Sequence, residues 1–167
     1  LLGQRRMSPV ALVGGGERET RFEPSLRRSD LWRALEPLRL ADYGEGTRLA
    51  ERLGDLDVRA ERRSLVLVLS DLHDPAIVPA LRHAAQKHDC IAIHLVDPAE
   101  RGHLRAGFFR GQEAESGRGF LAHGRVGWLR EGEMASDMAR SGVSYLRLQT
   151  DQPFIGPLRH FLSFRPA

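Results

Sequence analysis

A hydroxyl and a carboxylate stand directly after the most apolar run of the sequence. Residues 65–69 alternate leucine and valine, and Ser70 and Asp71 follow them without a break. An unbroken apolar run of this length is typical of a strand buried on both faces in a parallel sheet. Such a strand ends at the carboxyl edge of the sheet, where open α/β folds bind ligands. We therefore predict a ligand site at this edge.

Two other loops carry oxygen donors that could reach the same edge. Thr47 follows Gly46 ahead of a predicted helix, and Asp97 follows the apolar run of residues 90–96. Hydroxyl and carboxylate oxygens suit a hard divalent cation such as Mg²⁺, which also retains waters. Each residue has an ordinary structural alternative as well. Thr47 could cap the next helix, Asp71 or Asp74 could cap another, and Asp97 could belong to a turn.

His73 gives the same loop a second kind of chemistry. It lies between Asp71 and Asp74, and a histidine can act as a general base if a nucleophile lies within hydrogen-bond reach. The enzymatic alternative is therefore a small hydrolase or nucleotide-binding enzyme that uses Ser70, His73 and Asp97. His94, inside a predicted strand, is expected to be a core histidine.

The composition is that of a globular protein. The 167 residues are 41% hydrophobic and 28% charged, and we predict a single domain over residues 1–167. The net charge is +3, and Lys87 is the only lysine beside many arginines. These arginines are spread along the chain without interleaved aromatic residues, so nucleic acid is not a predicted partner.

Cysteine usage and hydropathy indicate the compartment. Cys90 is the only cysteine, which excludes an internal disulfide and favours a reducing compartment. We expect it to be a small buried apolar residue. No apolar run of the sequence is long enough to cross a bilayer. These features predict a cytoplasmic location.

Strands and helices alternate along the predicted chain. The order is strand, two helices, strand, helix, strand, hairpin, helix, strand and helix, with the hairpin predicted within residues 106–123. This alternation indicates an α/β three-layer sandwich, with a mostly parallel, Rossmann-like sheet and helices on both faces. We expect the hairpin to lie at the edge of that sheet.

Several segments together resemble a known family. They are RRSLVLVLSDLHD at residues 62–74, HLVDPAE at 94–100, ESG at 115–117 and LRHFLSFR at 158–165. In this order they resemble bacterial von Willebrand factor A-like proteins of domain-of-unknown-function family fifty-eight. These proteins are commonly encoded beside MoxR-type AAA+ ATPases. The resemblance extends over essentially the whole chain from about Val10.

The resemblance implies a metal-ion-dependent adhesion site built from three loops. Such a site uses an Asp-x-Ser-x-Ser motif after the first strand, a threonine in the second loop and an aspartate in the third. Thr47 matches the second loop and Asp71 the third, whereas the first motif does not occur in these residues. The resemblance thus implies an N-terminally incomplete domain without its first strand. The lack of that strand should leave unpaired backbone groups that upstream residues, or a second copy in a homo-oligomer, could pair.

The implied function is that of a protein-interaction module and not of an enzyme. No catalytic or cofactor-binding residues are assigned, and the metal ligands are Thr47 and Asp71, with Mg²⁺ held weakly or not at all. The implied partner is a MoxR-type AAA+ ATPase or its client protein. A membrane anchor would come only from upstream segments.

Overall fold

The structure of the chain is a computed structural model that describes residues 8–40, 44–98, 108–112, 119–123 and 131–165. Its strands are β1 (Val10–Val13), β2 (Arg21–Ser25), β3 (Leu65–Ser70), β4 (Asp89–Val96), β5 (Phe108–Gln112), β6 (Gly119–His123) and β7 (Ser144–Gln149). Its helices are α1 (Arg28–Arg39), α2 (Leu49–Arg59), α3 (Ile77–Ala84), α4 (Glu131–Arg140) and α5 (Ile155–Phe164). The alternating order predicted from the sequence is confirmed except for β2, which the prediction lacked.

A three-stranded parallel sheet in the order β3-β4-β7 forms the centre of the fold. Ser70 lies opposite His94 in the register of β3 and β4, and His94 lies opposite Arg147 in the register of β4 and β7. The carboxyl ends of the three strands therefore meet at one edge of the sheet. This arrangement confirms the predicted α/β architecture with a parallel sheet.

The two faces of this sheet carry separate hydrophobic clusters. On one face, α2, α3 and α4 bury a cluster of eleven residues: Leu53, Val66, Val68, Leu72, Ile77, Leu81, Ala84, Cys90, Ala92, Met138 and Val143. On the other face, Ile91, Ile93 and Leu148 are buried beneath α5. Helices thus cover both faces, as predicted. Cys90 is fully buried and free, which confirms its predicted apolar role.

The prediction that the strand of residues 65–69 is buried on both faces is wrong. Val66 and Val68 are buried, but Leu65, Leu67 and Leu69 keep 52%, 44% and 61% of their surface exposed. Among the described strands, β3 is an outer strand of the sheet. The residues of α5 that pack on this face contact the cluster on β4 and β7, so the three leucines of β3 remain largely uncovered.

The remaining strands form two antiparallel pairs outside the main sheet. β1 pairs with β2 and β5 pairs with β6, each as a separate two-stranded sheet. The predicted hairpin is therefore confirmed, but within the described residues it does not extend the edge of the main sheet. β2 was not predicted from the sequence, because its residues RFEPS include a proline and two charges, which are rare in strands.

The helices are short relative to the thickness of a bilayer. Among residues that the structure describes, no helix is both long and apolar enough to cross a membrane.

Candidate functional site

The loop that follows β3 fixes the carboxylate of Asp71 in place. The Ser70 hydroxyl accepts a hydrogen bond from the Leu72 N–H at 3.0 Å and lies 3.4 Å from Asp71 Oδ1. Asp71 Oδ1 also accepts a hydrogen bond from the His73 N–H at 3.2 Å. A side chain that accepts from the backbone two residues later forms an Asx turn. The Asp71 side chain remains 44% exposed, so it is both oriented and accessible.

Leu72 anchors this loop to the core. Its φ is +57°, in the left-handed region that only glycine visits freely, and its side chain is buried in the cluster beneath α2 and α3. Left-handed backbone costs a leucine about 1–2 kcal/mol. Burial of a leucine side chain contributes about 1.5–3 kcal/mol, which is enough to offset that cost. The loop beside Asp71 is therefore held by packing as well as by hydrogen bonds.

Asp74 holds the turn that leads into the next helix. Its Oδ1 accepts a hydrogen bond from the Ala76 N–H at 2.8 Å, and its carbonyl accepts one from the Ile77 N–H at 3.1 Å. The predicted alternative that Asp71 or Asp74 caps this helix is wrong, because α3 begins at Ile77 after Ala76 and has no side-chain cap. Asp71 makes its described backbone contact within its own turn, so the helix start does not require it.

The described contacts of Ser70 and His73 lie within the turn that follows β3. His73 Nδ1 lies 3.3 Å from Asp71 Oδ2, so its described ring contact is with a carboxylate. The Ser70 hydroxyl is occupied by the Leu72 N–H and faces Asp71. Asp97, the third residue of the hydrolase alternative, directly follows β4 and is exposed.

His94 forms a close polar contact between two strands near this edge. Its Nδ1 lies 2.6 Å from the Tyr145 hydroxyl, and the two rings are tilted at 51° with centroids 5.9 Å apart. His94 is half-buried and hydrogen-bonded, as a satisfied core histidine should be. Tyr145 was not singled out from the sequence. Only the register of β4 and β7, which a single sequence does not reveal, brings these two residues together.

Thr47 lies against the chain that leaves β1. Its hydroxyl is 3.5 Å from the Gly15 carbonyl, and it forms an isolated bridge with Gly16. The predicted alternative that Thr47 caps α2 is wrong, because the helix begins at Leu49 after Arg48 and has no side-chain cap. Thr47 and Asp71, the two predicted metal ligands, share no partner among their described contacts.

The donors of the described residues are too few for a complete metal site. Within them, no group of three or more His, Cys, Asp or Glu side chains is arranged to hold a metal ion. Asp71 offers a carboxylate oxygen and Thr47 a hydroxyl, which are suitable donors but do not fill the shell of Mg²⁺. These residues alone therefore do not fit a self-sufficient cation site.

A second exposed feature is an apolar surface on α1, which we call the Trp32 surface. Trp32, Leu35 and Leu38 form it, and Trp32 is 62% exposed. The spacing of these residues places them on one side of the helix. Ala34, the buried residue of α1, instead lines a cavity of about 460 Å³ beside β1 and β2. The helix thus carries one apolar side toward β1 and β2 and another toward solvent.

Comparison with known proteins gives a single finding. No curated protein matches the chain, and no solved structure matches it. A family model described as "Protein of unknown function DUF58" matches residues 4–136, which include the loop of Asp71 and the strands β3 and β4 beside it. Because this match covers most of the chain, the chain belongs to that family.

Proposed function

We propose that this domain is a non-enzymatic protein-interaction module of the von Willebrand factor A type. The observation that carries the proposal is the Asp71 carboxylate, which is half-exposed at the end of β3 and held by the His73 N–H. A fixed, accessible carboxylate at the carboxyl edge of a parallel sheet is well placed to contact a ligand. The ligand in this proposal is a group on a partner protein.

The Trp32 surface supports an interaction role. Trp32, Leu35 and Leu38 leave a large apolar area on α1 in contact with solvent. Contiguous apolar patches on soluble proteins mark binding sites for other proteins more often than isolated exposed side chains do. Tryptophan in particular is enriched among the residues that dominate binding energy.

The contacts around Ser70 favour this proposal over a hydrolase. A serine nucleophile needs a base within hydrogen-bond reach of its hydroxyl. Here the Ser70 hydroxyl accepts the Leu72 N–H and faces the Asp71 carboxylate. These described contacts are those of a turn residue.

In this proposal the domain binds Mg²⁺ weakly. Thr47 and Asp71 would each supply one kind of oxygen donor, and water or the partner would supply most of the shell. The proposed partner is a MoxR-type AAA+ ATPase or its client protein, which follows from the family resemblance. The domain would work in the same compartment as that ATPase, which we take to be the cytoplasm.

The test is a binding measurement with a purified MoxR-type AAA+ ATPase. Binding is followed by calorimetry while Mg²⁺ is added, with wild type and Asp71→Ala compared. We expect Asp71→Ala to weaken binding by at least about tenfold, the size of a lost charge-assisted contact. The effect should be largest when Mg²⁺ is present.

Asp55→Ala is the matched control. Asp55 is an exposed carboxylate on α2, 3.9 Å from Arg52, and has no part in the Asp71 loop. This variant should bind as wild type does. Equal affinity of wild type and Asp71→Ala would remove the Asp71 loop from the interaction, and turnover of a small ester or nucleotide that depends on Ser70 would favour the enzymatic alternative.

A further inference from the structure

A basic surface lies at the amino edge of the main sheet, where the strands begin, opposite the edge that carries Asp71. It consists of Arg59, the last residue of α2, and of Arg62 and Arg63, which lead into β3. We infer that these three arginines, which we call the Arg62 surface, bind the carboxylates of an acidic segment in a partner protein. This contact goes beyond the proposed interaction through Asp71 and does not depend on it.

The three arginine side chains are accessible to a partner. Arg59, Arg62 and Arg63 are exposed, and within the described part of the chain none of their guanidinium groups forms an ion pair or a hydrogen bond. Residues 59–63 read RAERR, so three positive charges stand against the single negative charge of Glu61. The segment therefore presents uncompensated positive charge to solvent.

Three carboxylates at the same edge do not neutralise this charge, because each already contacts another base. Asp57 lies 3.7 Å from Lys87, and Asp89 and Asp137 are paired with Arg165 and Arg140. The hydrogen bond with Arg165 is the main cause that lowers the pKa of Asp89, and the charge of Arg63 acts in the same direction, so Arg63 lies near this pair. Since Arg165 binds both oxygens of Asp89, Arg63 keeps its own guanidinium group for another carboxylate.

The helix dipoles account for only part of the basic edge. Cations are favourable near the C-terminus of a helix, and Arg59, Arg82 and Arg140 occupy the last turns of α2, α3 and α4. Arg62 and Arg63 belong to no helix, because they lie between the end of α2 and the start of β3. Their charge has no such structural role, which favours a role in binding.

The chemistry of the Arg62 surface favours carboxylates over a nucleic acid. A guanidinium group matches a carboxylate through paired, charge-assisted hydrogen bonds, and the contact of Arg165 with Asp89 is of this kind. Surfaces that bind single-stranded nucleic acid combine positive charge with aromatic side chains on which bases stack. Residues 57–65 contain no aromatic side chain. An acidic protein segment is therefore the ligand that fits this surface.

The test is the fluorescence anisotropy of a labelled hexaglutamate peptide as the purified chain is added, in EDTA and without an ATPase. At low ionic strength, where charges are weakly screened, we expect saturable binding to the wild type. The double variant Arg62→Ala/Arg63→Ala should bind the peptide at least about tenfold more weakly, because two charge-assisted contacts are lost. Circular dichroism checks that the variant is folded.

The double variant Arg27→Ala/Arg28→Ala is the matched control. It removes the same charge from another exposed arginine pair, at the start of α1, and should change the affinity by less than about twofold. Equal weakening by the two double variants would show that the peptide responds to net charge alone, and this result overturns the inference. A wild type that does not bind the peptide overturns it as well.

The class of ligand is tested with a labelled oligothymidylate that carries the same number of charges as the peptide. We expect the oligothymidylate to bind at least about tenfold more weakly than hexaglutamate, because the surface offers no aromatic side chain for stacking. Tighter binding of the oligothymidylate that is lost in Arg62→Ala/Arg63→Ala would assign the surface to nucleic acid and overturn the inference.

Discussion

Arg165 binds the carboxylate of Asp89 with both of its terminal nitrogens. Nη1 donates to Oδ1 at 2.8 Å and Nη2 donates to Oδ2, so the contact is bidentate. Asp89 begins β4, and Arg165 directly follows α5. The Arg165 side chain is 13% exposed and that of Asp89 is 31% exposed. This pair therefore fastens the end of α5 to the start of the central strand.

Loss of this pair should loosen α5. We expect Arg165→Ala to lower the free energy of unfolding by about 1.5–3 kcal/mol, the range for a hydrogen bond to a charged group. Urea denaturation measures the change. Arg140→Ala is the control, because Arg140 pairs with Asp137 on the surface and such pairs contribute about 0–1 kcal/mol. Equal effects of the two variants would contradict a special role for Arg165.

The same pair makes stability depend on pH in the acid range. Its hydrogen bond with Arg165 holds the pKa of Asp89 below the ordinary value of 3.8. The unfolded chain thus binds the proton more readily, and stability rises with pH through this window. The contribution should be fully present above the ordinary carboxyl pKa and lost as pH falls through the folded-state pKa. We expect the stability difference between wild type and Asp89→Asn to be constant near neutral pH and to shrink below about pH 4. A stability difference between wild type and Asp89→Asn that grows as pH falls would contradict the expected direction.

Cys90 should be unreactive while the protein is folded. It is fully buried in the cluster beneath α3, and burial raises the pKa of its thiol to about 11. The thiolate is the reactive form, so both access and ionisation are unfavourable at neutral pH. We expect a disulfide reagent such as Ellman's to modify the native protein at least about a hundredfold more slowly than the protein in urea. Rapid labelling of the native chain would show that this cluster opens readily.

At Leu72, substitution by glycine should destabilise the protein less than substitution by alanine, which reverses the usual order. Both Leu72→Ala and Leu72→Gly remove the buried side chain, but at a φ of +57° glycine avoids the backbone cost. We expect Leu72→Gly to be about 1 kcal/mol more stable than Leu72→Ala in urea denaturation. At Leu81, inside α3, the order should be the ordinary one, with alanine better by about 1 kcal/mol. The same order at both positions would argue against strain at Leu72.

His88 should be a structural histidine that joins two elements. It is buried, its Nδ1 accepts the Ser64 N–H at 3.2 Å, and its Nε2 lies 3.3 Å from Asp57 Oδ1. His88→Leu would leave the Ser64 N–H without its acceptor, which should cost about 1–3 kcal/mol. His83 also approaches Asp57, at 3.5 Å, but is mostly exposed, so His83→Leu should change stability by less than about 1 kcal/mol. Nitrogen-15 NMR should find the ring proton of His88 on Nε2.

The fold could be predicted because its signals are local. The alternation of apolar runs with helical periodicity identified the parallel strands, the helices and the hairpin of β5 and β6. Burial of Leu65, Leu67 and Leu69 could not be predicted correctly, because a leucine is equally apolar in a central and in an outer strand. β2 was not predicted because its own sequence has a low strand propensity. Its pairing with β1, which the sequence does not reveal, stabilises it as a strand.

Less of the candidate site could be predicted, because it depends on geometry across strands. The position of Asp71 followed from the end of the apolar run, and its accessible carboxylate agrees with that position. The sequence also did not show that Asp71 and Asp74 each hold a turn ahead of α3 and that neither caps the helix. The contact of His94 with Tyr145 depends on strand register alone. The metal role of Thr47 and Asp71 stays a prediction.

The buried side chain of Leu72 also determines how the domain would respond to mechanical force. A partner that pulls on Asp71 pulls on its immediate neighbour, whose side chain is packed among residues of α2, α3 and β4. The loop cannot stretch away from the sheet without drawing that side chain out of the core. Force applied at Asp71 would therefore be transmitted to β3, α2 and α3 at the same time. We expect these elements to unfold together, when the cluster around Leu72 is disrupted.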